Sequence, residues 1–269
     1  MDTIMTASPS EERQAPVCEV VSRQWYGGHW SQIEGSVPEE LPLAIYINSQ
    51  EWVVIPCSPH NLICLVMGFL RSEGVISRPE EITYLRVCAE EGVAEVKLST
   101  HFTLPTRRVL TSGCGQGSIF ITEKENFPPI DGDLKINPSQ VVILAGDLVR
   151  SAELHRLSGG THTSALSDGD RLLVLAEDIG RHNTLDKILG QCLLMGIPTN
   201  NCLLITTGRI SSEMVIKAAR MAVPLVISLT SPTAYAISLA QQIGMTLVGY
   251  ARGTKFTVYT CPERIKVQY

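Results

Sequence analysis

The chain has 269 residues, 44% of them hydrophobic and 18% charged, which is enough apolar material for a full core without metal or disulfide cross-links. A formal charge of −5 argues against a nucleic-acid-binding protein, since such proteins carry a surplus of Lys and Arg on one face. The first residues lack the basic and apolar segments of a secretory signal, and no run approaches the ~20 apolar residues of a membrane-spanning helix. We therefore expect a cytoplasmic protein that binds neither nucleic acid nor membranes.

The first half of the chain is predicted to be rich in β-strands. Residues 1–15 are polar and lack periodicity, which predicts a disordered tail, and residues 16–135 form the β-rich part. Strands are predicted from the short runs at 43–48, 52–56, 82–88, 93–99 and 107–110. One helix is predicted over 61–72, where apolar residues recur at helical spacing. The turn-forming residues 126–133 mark the predicted domain boundary.

The second half, residues 136–269, is predicted to be an α/β domain. A helix is expected over 138–157, with Asn137 and Ser139 as capping candidates. Apolar runs and helical segments then alternate, with strands at 171–176, 202–206, 224–229 and 245–250 and helices at 184–195, 211–222 and 233–243. This alternation predicts a largely parallel sheet covered by helices, and the run 255–260 could add an edge strand.

Polar residues collect in the loops that follow these predicted strands. Three of the loops carry an arginine, namely Arg181, Arg209 and Arg252, and Ser211 and Ser212 lie just before a helix. Ordinary helix capping would explain the hydroxyls but not the three arginines. Ligands of open α/β sheets bind where strands end and helices begin, so the pattern predicts a phosphate or nucleotide site. No P-loop or dinucleotide fingerprint is present to define the ligand class.

Two histidines are further candidates for this site. His162 follows the pair Gly159–Gly160, which is typical of an anion-binding turn. A plain helix stop would explain one of the glycines but not His162. His182 could be an ordinary surface histidine, although its position beside Arg181 favours a role at the edge of the ligand site.

Cys114 stands apart from most of the other cysteines. The chain has eight, at positions 18, 57, 64, 88, 114, 192, 202 and 261. Most lie in apolar runs, as expected for small core residues in a reducing compartment. Cys114 lies in the run Gly113-Cys-Gly-Gln-Gly117, whose N–H groups would favour the reactive thiolate.

Several chemistries are open to such a thiolate. A Cys-His-Asp protease needs a base whose proximity no sequence can show, whereas the motifs of zinc deaminases and Cys-x-x-Cys zinc sites do not occur. We therefore expect no bound metal. A thiolate that carries one sulfur atom as a persulfide is compatible with all of these observations.

Six segments, in order, resemble the formate dehydrogenase accessory sulfurtransferase family, FdhD/NarQ. They are 40–48, 68–74, 111–115, 159–162, 177–187 and 208–218, and the segments 231–233 and 247–260 fit as well. The element Asp178-Ile-Gly-Arg-His-Asn183 is highly specific. The resemblance implies a cytoplasmic homodimer whose α/β domain is a cytidine-deaminase-like three-layer structure without zinc.

The resemblance also implies an activity. A cysteine desulfurase would supply sulfur as a persulfide on Cys114, and the sulfur would pass to the molybdenum or tungsten of a bis(molybdopterin guanine dinucleotide) cofactor before its insertion into formate dehydrogenase. The residues that match the stretch contacting the guanine nucleotide part are Gly253, Thr254, Lys255, Phe256, Thr257 and Val258. The arginine-lined strand ends would then face the phosphates of the cofactor.

One position departs from the family pattern. Many members have Gly-Cys-Gly-x-Cys-Gly, whereas here the second cysteine position is Gly117. We favour a one-cysteine relay, because the receiving metal needs only one donor sulfur. The alternatives are a cofactor-binding chaperone without sulfur transfer, and a hydrolase or transferase that acts on a free nucleotide.

Overall fold

The computed structural model describes residues 4–7, 16–100, 109–110, 118–119, 129–130 and 132–266. Cys114 and Gly117 lie outside the described residues, as does most of the predicted tail. Within that tail, β1 (Ile4–Ala7) adds a parallel strand to the edge of a sheet, which gives the backbone groups of that edge partners. Among the described helices, none is long and apolar enough to span a membrane.

The first half contains a five-stranded sheet with one helix packed on it. Its further elements are β2 (Val17–Tyr26), β3 (His29–Pro38), β4 (Leu41–Ile47), β5 (Gln50–Cys57), α1 (Leu62–Ser72), β6 (Ile82–Cys88), β7 (Val93–Leu98), β8 (Val109–Leu110) and β9 (Ser118–Ile119). The sheet has the order β1-β6-β7-β4-β5, and the buried face of α1 completes its core. The four predicted strands of this sheet and the predicted helix are confirmed, with shifts of one or two residues at their ends.

A long hairpin, β2–β3, was not predicted. Its two ten-residue strands are joined by Gly27 and Gly28, whose positive φ angles of 59° and 91° suit a tight two-residue turn. Trp25 and Trp30 face each other across the strands with ring centroids 5.4 Å apart. Most of the hairpin is exposed on both faces, so its sequence lacks the apolar alternation by which half-buried strands are found.

The second half contains a six-stranded sheet with helices on both faces. Its elements are α2 (Pro138–Ser151), α3 (Glu153–Ser158), β10 (His162–Ser167), β11 (Leu172–Asp178), α4 (Arg181–Met195), β12 (Leu203–Thr206), α5 (Ser212–Arg220), β13 (Leu225–Ser228), α6 (Ala234–Gln242), β14 (Thr246–Arg252) and β15 (Lys255–Thr260). The strand order is β11-β10-β12-β13-β14-β15. The single helix predicted over 138–157 is two helices, because the chain leaves the helical conformation at Ala152.

The prediction of a largely parallel sheet is wrong, because this sheet is mixed. Strands β12, β13 and β14 are parallel, but β10 is antiparallel to both β11 and β12, and β15 is antiparallel to β14. The pairs β10–β11 and β14–β15 are joined by short turns, and such connections produce antiparallel neighbours. As a result, β10 and β15 begin at the same edge at which β11 to β14 end.

Alternate residues of the central strands pack on opposite helical layers. On β12, Leu203 and Ile205 pack in the cluster that includes α2, whereas Leu204 packs in the cluster formed by α4, α5 and α6. Such two-sided burial explains why these strands read as continuous apolar runs. Asn137 precedes α2 as its N-cap, and its N–H donates to Gln140 Oε1 at 2.7 Å.

Helices α1 and α4 join the two sheets through close backbone contact. A Cβ atom added at Gly68 would overlap the backbone of Asp186, and one added at Gly190 would overlap the backbone of Cys64. Only glycine at both positions allows this approach. Beside the contact, Asp186 Oδ1 accepts hydrogen bonds from Ser72 Oγ and Lys217 Nζ, both at 2.6 Å.

Candidate functional site

A cavity of about 1010 Å³ opens at the edge of the second sheet where β10 and β15 begin. One wall is the outer face of α2 and is apolar, with Val142, Ile143, Ala145 and Val149 among its residues. The opposite wall is polar and comes from the loops of the sheet. Its members are His155, Gly159, Gly160, Thr161, His162, Thr207, Arg252 and Gly253.

The described residues that line this cavity include basic side chains, namely Arg150, His155, His162 and Arg252, and none of these described residues is Asp or Glu. Arg150 forms an ion pair with Asp147 on the same helix. Arg252 is held by a hydrogen bond from its Nε to the carbonyl oxygen of Leu229 at 2.6 Å. A fixed arginine, two imidazoles and an apolar wall are therefore groups that could together bind an anionic ligand with an apolar part.

His162 lies at the start of β10, in a partly buried position beside several basic side chains. Burial lowers its pKa, and the nearby Arg181, His155 and His182 lower it further. An imidazole with a lowered pKa is mainly neutral at neutral pH, so it can both donate and accept hydrogen bonds. Arg181 is close by, since a Cβ added at Gly208 would lie 3.0 Å from Arg181 Cβ and 3.5 Å from His162 Nδ1.

His182, in the first turn of α4, contacts residues at the start of α5 and does not line the cavity. Its Nε2 lies 2.9 Å from Glu213 Oε2 and 3.3 Å from Ser211 Oγ. In a Ser-His-Asp arrangement the nucleophile and the carboxylate bind different ring nitrogens. Here both partners meet Nε2, so the geometry does not match that of a hydrolytic triad. Ser211 is also the N-cap of α5, because its Oγ accepts from the N–H of Met214.

The other predicted site residues lie outside the cavity or outside the described part of the chain. Arg209, Thr254, Lys255 and Thr257 are exposed without lining the cavity, Ser212 is the first residue of α5, and Phe256 and Val258 pack against the core. Of the predicted binding residues, His162, Arg252 and Gly253 line the cavity and Arg181 lies beside it. Cys114 lies outside the described residues.

The element 178–183 serves mainly to join the two halves of the chain. Asp178 accepts hydrogen bonds from the N–H groups of Ser58 and Gly180 and from the amide of Asn183, at 2.8–3.1 Å. Asn183 also donates to the carbonyl oxygen of Pro56 at 2.9 Å. Because these partners come from both sheets, the element orients the strand end that carries Arg181.

Several lining residues were not predicted from the sequence. Thr207 lies in a loop that the sequence assigned to the site, but no role was given to it, and its Oγ1 accepts from the N–H of Thr163 at 3.0 Å. His155 was assigned to the interior of a long helix. The apolar wall includes Ile143 and Val149, which are 53% and 56% exposed on α2, although the other face of this helix is buried. Apolar residues on both faces of a helix are the feature of the sequence that could have indicated this wall.

The cysteines of the described segments are mostly buried. Cys57, Cys88, Cys192, Cys202 and Cys261 are buried, and burial raises the pKa of Cys192 to about 12. Burial also raises the pKa values of Cys57, Cys202 and Cys261, which favours the unreactive thiol form in all four. Cys18 is exposed on the β2–β3 hairpin, which the sequence did not indicate. No group of three or more His, Cys, Asp or Glu side chains in the described ranges could hold a metal ion.

The chain is thus an α/β protein with a cavity at the sheet edge where strands end, which is where proteins of this class commonly bind their ligands. Its family follows from comparison with known proteins. The chain belongs to the FdhD/NarQ family, whose sequence profile matches residues 38–266.

The relatives of this chain cover nearly all of it. It is 38% identical to a protein of Bacillus subtilis over 89% of its own length and 94% of the relative, and 40% identical to one of Bacillus licheniformis over 89% and 93%. A protein of Staphylococcus haemolyticus is 39% identical over the same shares, 89% and 93%. All three are named sulfur carrier protein FdhD.

A crystal structure assigned to a formate dehydrogenase accessory protein from Desulfotalea psychrophila has a similar fold. The TM-score is 0.80 at 31% identity, and the match covers 94% of this chain and 100% of that one. The mixed α/β architecture is therefore shared with this accessory protein.

Proposed function

We propose that this protein is a sulfur carrier that serves formate dehydrogenase. In the proposed reaction Cys114 attacks the terminal sulfur of a desulfurase persulfide, so that a sulfur–sulfur bond forms at Cys114 and the desulfurase thiolate leaves. The terminal sulfur would then pass to the metal of a bis(molybdopterin guanine dinucleotide) cofactor, the bound substrate: the sulfur–sulfur bond breaks, Cys114 leaves as the thiolate, and the reduced metal supplies the two electrons that convert the sulfur to sulfide. Because Gly117 replaces the second motif cysteine, the relay uses one cysteine.

The cavity at the edge of the second sheet is the observation that carries the ligand assignment. Its volume of about 1010 Å³ lies at the upper end of the range for ligand sites, as a large cofactor requires. Its cations would pair with phosphate groups, and the apolar face of α2 would cover a planar ring system. The described part of the lining contains no carboxylate, which favours a polyanionic ligand such as a guanine nucleotide.

The residues carried over from the resemblance divide into two groups in this proposal. Arg252, Gly253 and His162 would contact the nucleotide, since they line the cavity. Phe256 and Val258 would support this strand from the core, and the exposed Thr254, Lys255 and Thr257 would reach the ligand only if it extends beyond the cavity. Arg181 and His182 would support His162 from the side away from the cavity, whereas Arg209, Ser211 and Ser212, which do not line the cavity, would not contact the ligand.

Further parts of the proposal follow from the family. The chain would act as a homodimer in the cytoplasm, with a cysteine desulfurase as donor and formate dehydrogenase as recipient. The cytidine-deaminase-like arrangement stays a prediction.

The sulfur chemistry is tested by intact mass. After incubation with a cysteine desulfurase and cysteine, we expect a gain of about 32 Da, one sulfur atom, that Cys114→Ala abolishes and Cys18→Ala leaves unchanged. Cys18 is the control because it is an exposed thiol in the described part of the chain. A gain that survives Cys114→Ala would refute the assignment of the carrier residue.

The two alternatives give different results. A cofactor-binding chaperone without sulfur transfer would bind GDP and support formate dehydrogenase equally well with Cys114→Ala in a deletion host. A hydrolase or transferase would turn over free guanine nucleotide. Ser211 and Glu213 both contact Nε2 of His182, so these residues do not form a hydrolytic triad.

A further inference from the structure

The carboxylate of Glu177 is buried near the end of β11 and accepts hydrogen bonds from three groups of the segment 154–163, which contributes to the cavity wall. Its Oε2 accepts from the N–H of Leu154 at 2.8 Å, and its Oε1 accepts from the N–H of His155 and from Thr163 Oγ1, both at 3.0 Å. Glu177 is 5% exposed and is not among the residues that line the cavity. Glu177 therefore contacts the wall from the side that faces away from the cavity.

Helix α3 depends on this carboxylate for its start. The helix has six residues, and its N-cap is Ala152, which offers no side-chain acceptor. The first N–H groups of a helix need partners, and a helix this short is unstable in isolation. Glu177 supplies the acceptor from a neighbouring strand, and its negative charge suits the positive end of the helix.

The segment that α3 begins forms the polar wall of the cavity. His155 Nδ1 lies 2.7 Å from the carbonyl oxygen of Thr161, which closes the turn at Gly159 and Gly160. Because the carbonyl can only accept, Nδ1 carries the proton in this contact. His155, the two glycines and Thr161 all line the cavity. The position of this wall is thus set by the two N–H groups that Glu177 binds.

The third contact of Glu177 extends to the next loop. Thr163 donates to Glu177 through its side chain, and its backbone exchanges two hydrogen bonds with Thr207: Thr163 N–H to Thr207 Oγ1 at 3.0 Å, and Thr207 N–H to the Thr163 carbonyl at 2.9 Å. Thr207 also lines the cavity. One carboxylate is therefore connected to the α3 wall and to the loop after β12.

We propose that Glu177 is a positioning residue of the nucleotide cavity, which fixes the wall formed by residues 154–163 and the loop at Thr207 without touching the ligand. This inference rests on the proposed binding of a guanine nucleotide. It assigns to the first residue of the element 177–187 a role that differs from that of its neighbour Asp178, which joins the two sheets.

The test compares Glu177→Gln with two controls, using GDP as the probe. The amide of Gln would place an N–H₂ group against at least one of the three donors, so we expect GDP affinity to fall roughly 10-fold, the scale at which partners of binding residues act. Glu153→Gln changes an exposed carboxyl on the same helix and should keep the wild-type affinity. Ser72→Ala removes a hydrogen bond from the buried network of Ser72, Asp186 and Lys217. It should lower the melting temperature without changing the affinity for GDP.

A direct readout accompanies the affinities. Amide hydrogen exchange at Leu154 and His155 should accelerate in Glu177→Gln, whereas exchange at Ile188 in α4 should not change. An unchanged GDP affinity in Glu177→Gln, or an equal loss of affinity in Ser72→Ala, would overturn the inference. If the wild-type protein does not bind GDP, the proposed nucleotide site fails instead, and the exchange at Leu154 and His155 still decides whether Glu177 holds this wall.

Discussion

The carboxylate of Asp178 and the ammonium group of Lys187 lie 2.6 Å apart, with side chains that are 0% and 1% exposed. Lys187 also lies within hydrogen-bond distance of the carbonyl oxygens of Ser58 and Glu177. A charge in such surroundings is tolerated only while its partner is present. The pair therefore makes the junction of the two sheets sensitive to single substitutions.

We expect Lys187→Met to lower the free energy of unfolding by about 3–5 kcal/mol, because it leaves the Asp178 carboxylate buried without its cation. Lys135→Met, at an exposed lysine, should change it by less than about 0.5 kcal/mol. Urea denaturation followed by circular dichroism measures both. Equal stability of the two variants would mean that the pair does not contribute in this way.

Gly68→Ala should destabilise the protein by at least about 2 kcal/mol, because the new methyl group would overlap the backbone of Asp186. Intrinsic helix propensity alone would make alanine more stable than glycine by about 1 kcal/mol. A decrease in the free energy of unfolding would therefore be due to the close contact between α1 and α4. Gly35→Ala is the control, since no atom lies within 4 Å of a Cβ at that position. A higher melting temperature for Gly68→Ala would contradict the close approach of the helices.

His60 should make stability depend on pH on the acid side. Burial, followed by the charge of Lys187, lowers its pKa from 6.5 to about 4. Between those values the unfolded chain binds a proton that the folded protein does not, so the free energy of unfolding falls as the pH drops from about 6.5 to about 4.

Urea midpoints across this range measure the effect, and NMR titration of the imidazole measures the pKa. His60→Gln should flatten the curve, whereas His29→Gln, at an exposed histidine, should not. A His60 imidazole that titrates near 6.5 in the folded protein would remove the basis of this prediction.

Arg252→Ala should weaken GDP binding roughly 10-fold, as expected for loss of a charge-assisted hydrogen bond to phosphate. Arg209→Ala removes an exposed arginine that does not line the cavity and should leave the affinity unchanged. Phe256→Ala should instead lower the melting temperature, because Phe256 packs against the core. Calorimetric titration with GDP distinguishes these outcomes, and an equal effect of both arginines would contradict the location of the site.

Elements with one or two buried faces could be predicted from the sequence. The apolar periodicity of 61–72 and the apolar runs of β12 and β13 reflect burial directly, so these elements were placed within one or two residues. The β2–β3 hairpin buries little of either face and leaves no such pattern. Strand β10 was missed because four of the six residues in its sequence, His-Thr-Ser-Ala-Leu-Ser, are polar although the strand is mostly buried.

Strand direction and side-chain partners were harder to predict. The antiparallel position of β10 depends on its pairing with β11 and β12, which no local pattern records. At the site, the sequence identified the segments that contain Arg252 and His162, which are the last residue of β14 and the first residue of β10. It could not distinguish Arg252 from Arg209, since both follow strands, and it could not assign the role of Glu177, whose partners lie 14 to 23 residues away along the chain.

The three tryptophans of the chain lie in two very different surroundings. Trp25 and Trp30, at the tip of the β2–β3 hairpin, are 56% and 65% exposed, whereas Trp52 is 1% exposed in the core of the first sheet. Emission at long wavelengths should therefore come from the hairpin and emission at short wavelengths from the interior. The natural fluorescence of the protein can thus report separately on contacts made at the hairpin and on loss of the core, without an added label.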